Sequence, residues 1–291
     1  MRYVLAVAEY RSFSLAAQSC YVGQPALSQQ IARLEKELGV TLFSRTTHGV
    51  SLTQAGEEFV LRAREILQRT DALTAEMANY AGLRKGTLNL GTITSLQCID
   101  FGNLLSAFSS AYPNITLNIV EHGTYHLLRM LTERSIDAAI LNRPQSHLPA
   151  GIEFSQLGTD NYSIAVAANH RLAGKKTVCL SELRDEPFIF HQNGQVASEL
   201  CMNACQNAGF TPRIVCRAAN PSMGMYMVQG GLGVVFVPSE EFLTRKLAGI
   251  VELKLKEPIT KTVGIAWRSD NASSIVDTVV DFAQKWVKDR K

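Results

Sequence analysis

The sequence predicts an α/β protein that opens with a small all-helical module, and three patterns carry that prediction. Residues 1 to about 52 fall into short helical stretches with tight turns, closing on a brief alternating segment. Residues 53–83 form one helical stretch without a proline. Beyond "GLRKG" (82–86), apolar runs alternate with helical ones: "TLNLG", "ITLNIVE", "DAAILN", "YSIAVAA", "PFIFH", "GVVFVP" and "TVGIAW". Alternation of this kind belongs to an α/β domain with a largely parallel sheet. At 291 residues the chain has room for one small domain and one large one.

Composition excludes several classes. A chain with 46% hydrophobic and 19% charged residues is neither disordered nor fibrous. The apolar run after Arg2 ends at Glu9, too short for a secretory signal, and no other stretch reaches membrane-spanning length. A cytoplasmic protein without a membrane partner is expected. The cysteines at 20, 98, 179, 201, 205 and 216 form no CxxC pair, which favours reduced, buried thiols over a disulfide framework. Residues 1–83 hold eight Lys/Arg and eight Asp/Glu, so nucleic-acid binding would need a local arrangement of arginines rather than a basic tail.

Taken in chain order, "SFSLAAQSC" offers Ser14 as an N-cap and Leu15 to Ser19 as a short helix. "YVG" (21–23) then turns into a longer helix, with Pro25 in its first turn and Gly39 placed to end it. Leu27, Ile31, Leu34 and Leu38 make one apolar stripe. Gln24, Ser28, Gln29 and Arg33 lie on the flank or the outward face. Two helices joined by a short glycine-containing turn make a helix-turn-helix. A turn at His48-Gly49, with Val50 and Leu52 alternating after it, adds a hairpin wing that Arg45 opens. Paired donors and acceptors on Gln and Arg suit base edges and phosphates, placing Gln24, Pro25, Ser28, Gln29, Arg33 and Arg45 at a DNA interface. A plain surface helix with a solvated polar face fits the same residues about as well.

The long helix repeats apolar or small residues at Phe59, Ala63, Ile66, Thr70, Leu73, Met77 and Tyr80, spaced four and three apart. That is the narrow seam of a coiled coil, and a dimerising helix beside a helix-turn-helix pairs two readers with two half-sites. Packing against the protein's own C-terminal domain is the alternative.

Further on, "TLNLG" runs into "TITSLQ" and an amphipathic helix to about Tyr112. Thr94 and Ser95 fall at or near that helix's start, where free N–H groups and hydroxyls suit an anion, or where they act as an ordinary cap. No enzyme motif stands out. "GGLGVVF" has a strand after its glycines, His122 and His126 lack a third ligand, and no nucleophile elbow or P-loop occurs. No metal and no cofactor are expected.

These residues resemble the LysR-type transcriptional regulators. "SFSLAAQ", "VGQPALSQQIARLEKELGVTLFSR" and "GVSLTQAGEEF" are similar to that family's N-terminal signature, nearly continuously from Arg2 to Phe59. "FSSAYPNITLNIVEHGT", "IDAAIL", "ANHRLA", "LSELRDEPFI", "AGFTPRI" and "VQGGLGVVFVP" follow in the family's order. The resemblance implies a winged helix-turn-helix over 1–56, a linker helix over 57–83 and an effector domain over 87–291. That domain would have the two-lobed α/β fold of periplasmic binding proteins, with lobe I at 87–161 and 266–291 and lobe II at 162–265. Its crossing strands would pass near Tyr162 and Val263.

The implied effector residues are Thr94, Ser95 and Leu96, with Asn142, Gln192, Gly194 and Ser222. The implied partners are double-stranded DNA with approximate two-fold symmetry, a small effector expected to be anionic, a second copy in a homodimer or homotetramer, and RNA polymerase. Two departures stand out: the chain starts several residues later than the family usually does, so the first helix is expected to lack its opening turn, and Gly23 stands where the family often has Ser. Peroxide sensors of the family use two cysteines; Cys205 matches the second, and Val196 stands in place of the first. A redox-responsive regulator, or a solute-binding protein without DNA contact, are the alternative readings.

Overall fold

The computed structural model describes residues 1–46, 49–80, 86–245, 247–271 and 273–289. The expected turn at His48 and the end of the linker beyond Tyr80 lie outside these residues, as do the side chains of Arg45, Met77 and Tyr80.

Helices α1 (Arg2–Tyr10), α2 (Phe13–Ser19) and α3 (Gln24–Leu38) pack with the hairpin β1 (Phe43–Thr46) and β2 (Gly49–Leu52). Their core joins Val4, Val7, Ala16, Ala17, Leu27, Ile31 and Leu42. Helix α2 starts earlier than the sequence suggests, because Ser12, not Ser14, is extended and accepts a hydrogen bond from the Leu15 N–H. The α3 stripe is buried at Leu27 and Ile31, yet Leu38 at the last turn is 46% exposed. Gly39 ends α3 in the left-handed region (φ 70°). Glu35 Oε1 then accepts from the Leu42 and Phe43 N–H groups, at 2.6 and 3.2 Å, which fixes the wing against α3.

Helix α4 (Gln54–Tyr80) begins where the Thr53 hydroxyl accepts from the Gly56 N–H. A Cβ at Gly56 would stand 2.1 Å from the Leu42 carbonyl oxygen, so no larger residue fits there. Early in α4, Val60 and Ala63 are buried and Phe59 packs on the N-terminal core. Arg64 donates to the Glu133 carbonyl, tying α4 to the C-terminal domain.

The remaining chain forms β3 (Gly86–Thr92), α5 (Phe101–Ala111), β4 (Ile115–Glu121), α6 (Thr124–Thr132), β5 (Ala138–Asn142) and β6 (Ile152–Ala167). Then come β7 (Thr177–Val178), β8 (Pro187–His191), α7 (Val196–Asn207), β9 (Arg213–Ala218), α8 (Pro221–Gln229), β10 (Val234–Pro238), α9 (Ser239–Arg245), β11 (Ile250–Arg268) and α10 (Ser274–Lys288). One sheet orders its strands β4-β3-β5-β11-β6-β10-β8-β9. The outer triplets β4-β3-β5 and β10-β8-β9 are parallel, whereas the long central strands β6 and β11 are antiparallel to each other and to β10 and β5, and the short β7 lies parallel beside β11.

Two cores divide this sheet. On β6 the switch falls between Leu157 and Tyr162, and on β11 between Val263 and Ile259. Asp160 and Lys261, paired in the register between these switches, therefore sit at the waist of the two-lobed domain.

Candidate functional site

A cleft at that waist is built from strand ends. Ile93 to Ser95 follow β3, His122 to Thr124 follow β4, and Asn142 ends β5. From the other lobe come His191 at the end of β8, Ala219 after β9 and Pro238 at the end of β10. Carboxyl ends of parallel strands are where open α/β sheets hold ligands, because helices start there and leave N–H groups free. Here α6 and α7 both start at the cleft, and neither Gly123 nor Gln195 closes its helix with a side-chain cap. The cleft holds about 70 Å³ of free volume and opens to solvent at its mouth.

Its floor carries a cation. Lys261 is 1% exposed; its Nζ donates to the Ser95 carbonyl (3.1 Å) and the Ser95 hydroxyl (3.2 Å), with Asp160 Oδ2 at 3.8 Å. Burial pulls the ammonium below the ordinary lysine range, while Cys98 and Asp160 pull it back. Burial likewise holds the Asp160 carboxyl above its usual range, against Lys261. Across the cleft, His191 is pushed down to about 4 by burial and then by Lys261, so its ring is neutral at ordinary pH. The lobes also touch directly: the Tyr125 hydroxyl of α6 donates to Glu199 of α7 at 2.5 Å.

The sequence-predicted effector residues separate into two groups. Thr94, Ser95 and Asn142 line the cleft. Leu96 does not; it is 5% exposed inside the first lobe's core. Gln192 and Gly194 are exposed on the loop before α7, and Gln195 to Ala197 take the lining positions instead. Ser222 turns away to donate to Glu241. Thr94 and Ser95 are not at a helix start either, since α5 begins at Phe101 behind the Asp100 N-cap and a 3-10 turn at Gln97–Ile99. Lys261, His191 and Tyr162 also line the cleft, outside the expected set. A signal existed for Lys261: Ile259, Lys261, Val263 and Ile265 share one strand face, and all are buried.

At the other end of the molecule, Gln24, Pro25, Gln29 and Arg33 are exposed on α3 and Ser28 is half-buried. Arg33 pairs with Glu37 one turn on, at 3.1 Å. Along α4 the seam residues differ: Ala63 is buried within the chain, whereas Ile66 and Leu73 are 49% and 58% exposed and Thr70 is exposed.

Among the described residues no group of three metal-ligating side chains stands together. The His122 and His126 rings lie 4.3 Å apart, and His126 Nδ1 faces the Arg129 guanidinium. Cys201 and Cys205 are fully buried, and burial pushes the Cys205 thiol up to about 12.

Two family profiles match the chain. The one described as "Bacterial regulatory helix-turn-helix protein, lysR family" covers residues 1–57, and "LysR substrate binding domain" covers 81–288. The chain belongs to the LysR family of transcriptional regulators. It is a DNA-binding regulator with an effector-binding domain. It is 32% identical to the "Transcriptional dual regulator GltC" of Bacillus subtilis, over 98% of this chain and 97% of that one. It is also 30% identical to a "Probable hydrogen peroxide-inducible genes activator" of Mycobacterium avium, over 93% of this chain and 88% of that one. Both relatives are transcriptional regulators.

Among solved structures, a full-length OxyR variant from Pseudomonas aeruginosa superposes with a TM-score of 0.74 at 24% identity, covering 99% of this chain and 93% of that one. Full-length CbnR, solved with its target DNA, gives 0.69 at 22% identity over 99% and 98%. These likenesses support the fold. No helix among the described residues is long and apolar enough to cross a membrane.

Proposed function

We propose that this regulator responds to a small carboxylate held between its lobes, and that the carboxylate alters how it binds or activates a promoter. The observation that carries this reading is Lys261, a fully buried ammonium on the floor of a cleft onto which two helix N-termini open. A buried charge persists in a fold only with partners, and Asp160 at 3.8 Å is a loose one. Helix starts favour a negative group at the same place. Thr94 and Ser95 contribute hydroxyls, with Asn142 beside them. The carboxylate class rests on the lysine rather than on the hydroxyl pair alone.

In this reading residues 1–56 form the DNA-binding module, 57–83 the linker and 87–291 the effector domain. Gln24, Ser28 and Gln29 meet the major groove, with Pro25 shaping the helix start, while Arg33 and Arg45 hold phosphates or reach the minor groove from the wing. The exposed Ile66 and Leu73 side chains pair two chains along α4, and Phe59 and Ala63 are engaged by the chain's own core. Two such readers favour an approximately two-fold symmetric site, and further association of effector domains gives a tetramer in the cytoplasm, in reach of RNA polymerase.

Fluorescence titration of the full chain against DNA from upstream of its own gene, compared with random DNA, tests the DNA reading. Preference for the upstream fragment, lost when Ile66 and Leu73 are both replaced by Asp, supports it. Equal affinity for both fragments contradicts it.

A further inference from the structure

Two acceptors in the cleft are buried without a partner. Asn142 is 9% exposed and its Oδ1 accepts nothing; His191 is 3% exposed and the same holds for its Nε2. Buried polar atoms in folded proteins are almost always hydrogen-bonded, so each exception asks for a cause. The Phe236 backbone acts weakly in favour of the charged His191 ring, against its burial, and Nε2 is left without a partner. With its proton on Nδ1, the neutral ring offers Nε2 as an acceptor.

The two residues come from opposite lobes, at the ends of β5 and β8, and line one cleft. Lys261 lines the same cleft: Asn142 pairs with Val263, two residues along β11 from it, and the charge of Lys261 is felt at His191. The lysine, the Thr94 and Ser95 hydroxyls and the helix starts are donors at this cleft, none of them bonded to these two acceptors, so the unmet need is for a donor arriving from outside.

We propose that the effector carries an ammonium or hydroxyl group beside its carboxylate, and that Asn142 Oδ1 and His191 Nε2 receive it while Lys261 holds the carboxylate. This rests on the carboxylate reading above and narrows it to amino or hydroxy acids. An ammonium has protons for both acceptors, whereas a hydroxyl has one proton and serves one of them. Amino acids therefore rank first and hydroxy acids second. A ligand without the donor leaves both acceptors buried and dry, which is how a polar site rejects an otherwise similar molecule.

Calorimetric titration of the full chain with two matched series tests this: propionate, lactate and alanine, then succinate, malate and aspartate. In the series that binds, the amino or hydroxy member binds at least tenfold tighter than its parent acid. Asn142→Leu and His191→Phe each bring that ratio within about twofold. Asn142→Leu removes an acceptor that has no partner, so its melting temperature without ligand is no lower than wild type, which separates lost recognition from lost folding. His191→Phe gives an independent reading should the first variant fold poorly. Parent acids that bind as tightly as their substituted partners overturn this proposal and leave the carboxylate reading standing, as does a preference that survives in both variants. Binding of none of the six acids overturns both.

Discussion

The proposed DNA-reading face and the proposed effector cleft recruit their residues in opposite ways. The first is a single 15-residue helix, α3, whose buried side and outward side alternate at helical spacing. The second draws on the ends of six strands and two crossing strands, scattered from Ile93 to Lys261. A face carried by one helix stands in solvent, where each polar side chain is singly replaceable at small cost. A cleft floor made by long-range pairing buries its polar groups, and each then depends on the others. Changes on α3 should therefore alter DNA binding and leave stability nearly untouched, whereas changes in the cleft should move ligand binding, stability and pH response together.

The largest effect is expected at Lys261. Lys261→Met removes a charge-assisted partner and should weaken the best-binding acid of the panel by about 3 kcal/mol, roughly a hundredfold. Calorimetry reads this, with thermal unfolding alongside, since Asp160 is then left buried without its cation. A loss under threefold would place the carboxylate elsewhere.

Next comes the pH response of the same cleft. The His191 ring is held down to about 4, whereas an unfolded histidine titrates near 6.5. Its contribution to stability is complete above pH 6.5 and is lost as pH falls from 6.5 to 4, by up to about 3 kcal/mol. Asp160, held above its usual range, works in the opposite sense in acid. Denaturant unfolding of wild type and His191→Phe across pH 4–7 isolates the histidine, and the variant should fall less steeply. Parallel curves would show that the ring does not titrate as its burial requires.

Smaller changes are expected on α3. Gln29→Ala should lose about 1–3 kcal/mol on the cognate site and far less on random DNA. Equal losses on both would remove Gln29 from base reading. The smallest concerns Arg33, whose exposed pair with Glu37 contributes under about 0.5 kcal/mol to stability. Arg33→Ala should leave the melting temperature almost unmoved and lower the slope of log affinity against log salt by about one. An unchanged slope would leave Arg33 without a phosphate.

The same contrast explains what the sequence made legible. Leu27 and Ile31 at helical spacing, Gly39 as the stop and Val50 alternating with Leu52 announce their structure within a few residues, so the winged helix-turn-helix could be read directly. The strands could be read too, but not that β6 and β11 would run antiparallel to β10 and β5, because the direction of a strand is set by distant partners. Thr94, Ser95 and Asn142 reached the cleft because they follow strand ends. Leu96 and Ser222 did not, because Leu96 turns into the core one residue on and Ser222 is held by Glu241, a partner 19 residues away. Lys261 looked like a polar break in an apolar strand. Only its phase with Ile259, Val263 and Ile265 marks it as facing inward, and what it faces comes from residue 95.

Coupling between the two regions would have one physical link in Arg64 on α4, bonded to the Glu133 carbonyl beside the end of α6. Helix α6 has its start at the cleft and this contact at its far end. The most direct measurement is promoter affinity of the full chain with and without the best-binding acid, for wild type and Lys261→Met in parallel. A ligand-dependent change of at least fivefold is expected in wild type, and of less than twofold in Lys261→Met at the same acid concentration. A wild-type affinity that ignores the acid, or a shift of equal size in both proteins, would contradict it.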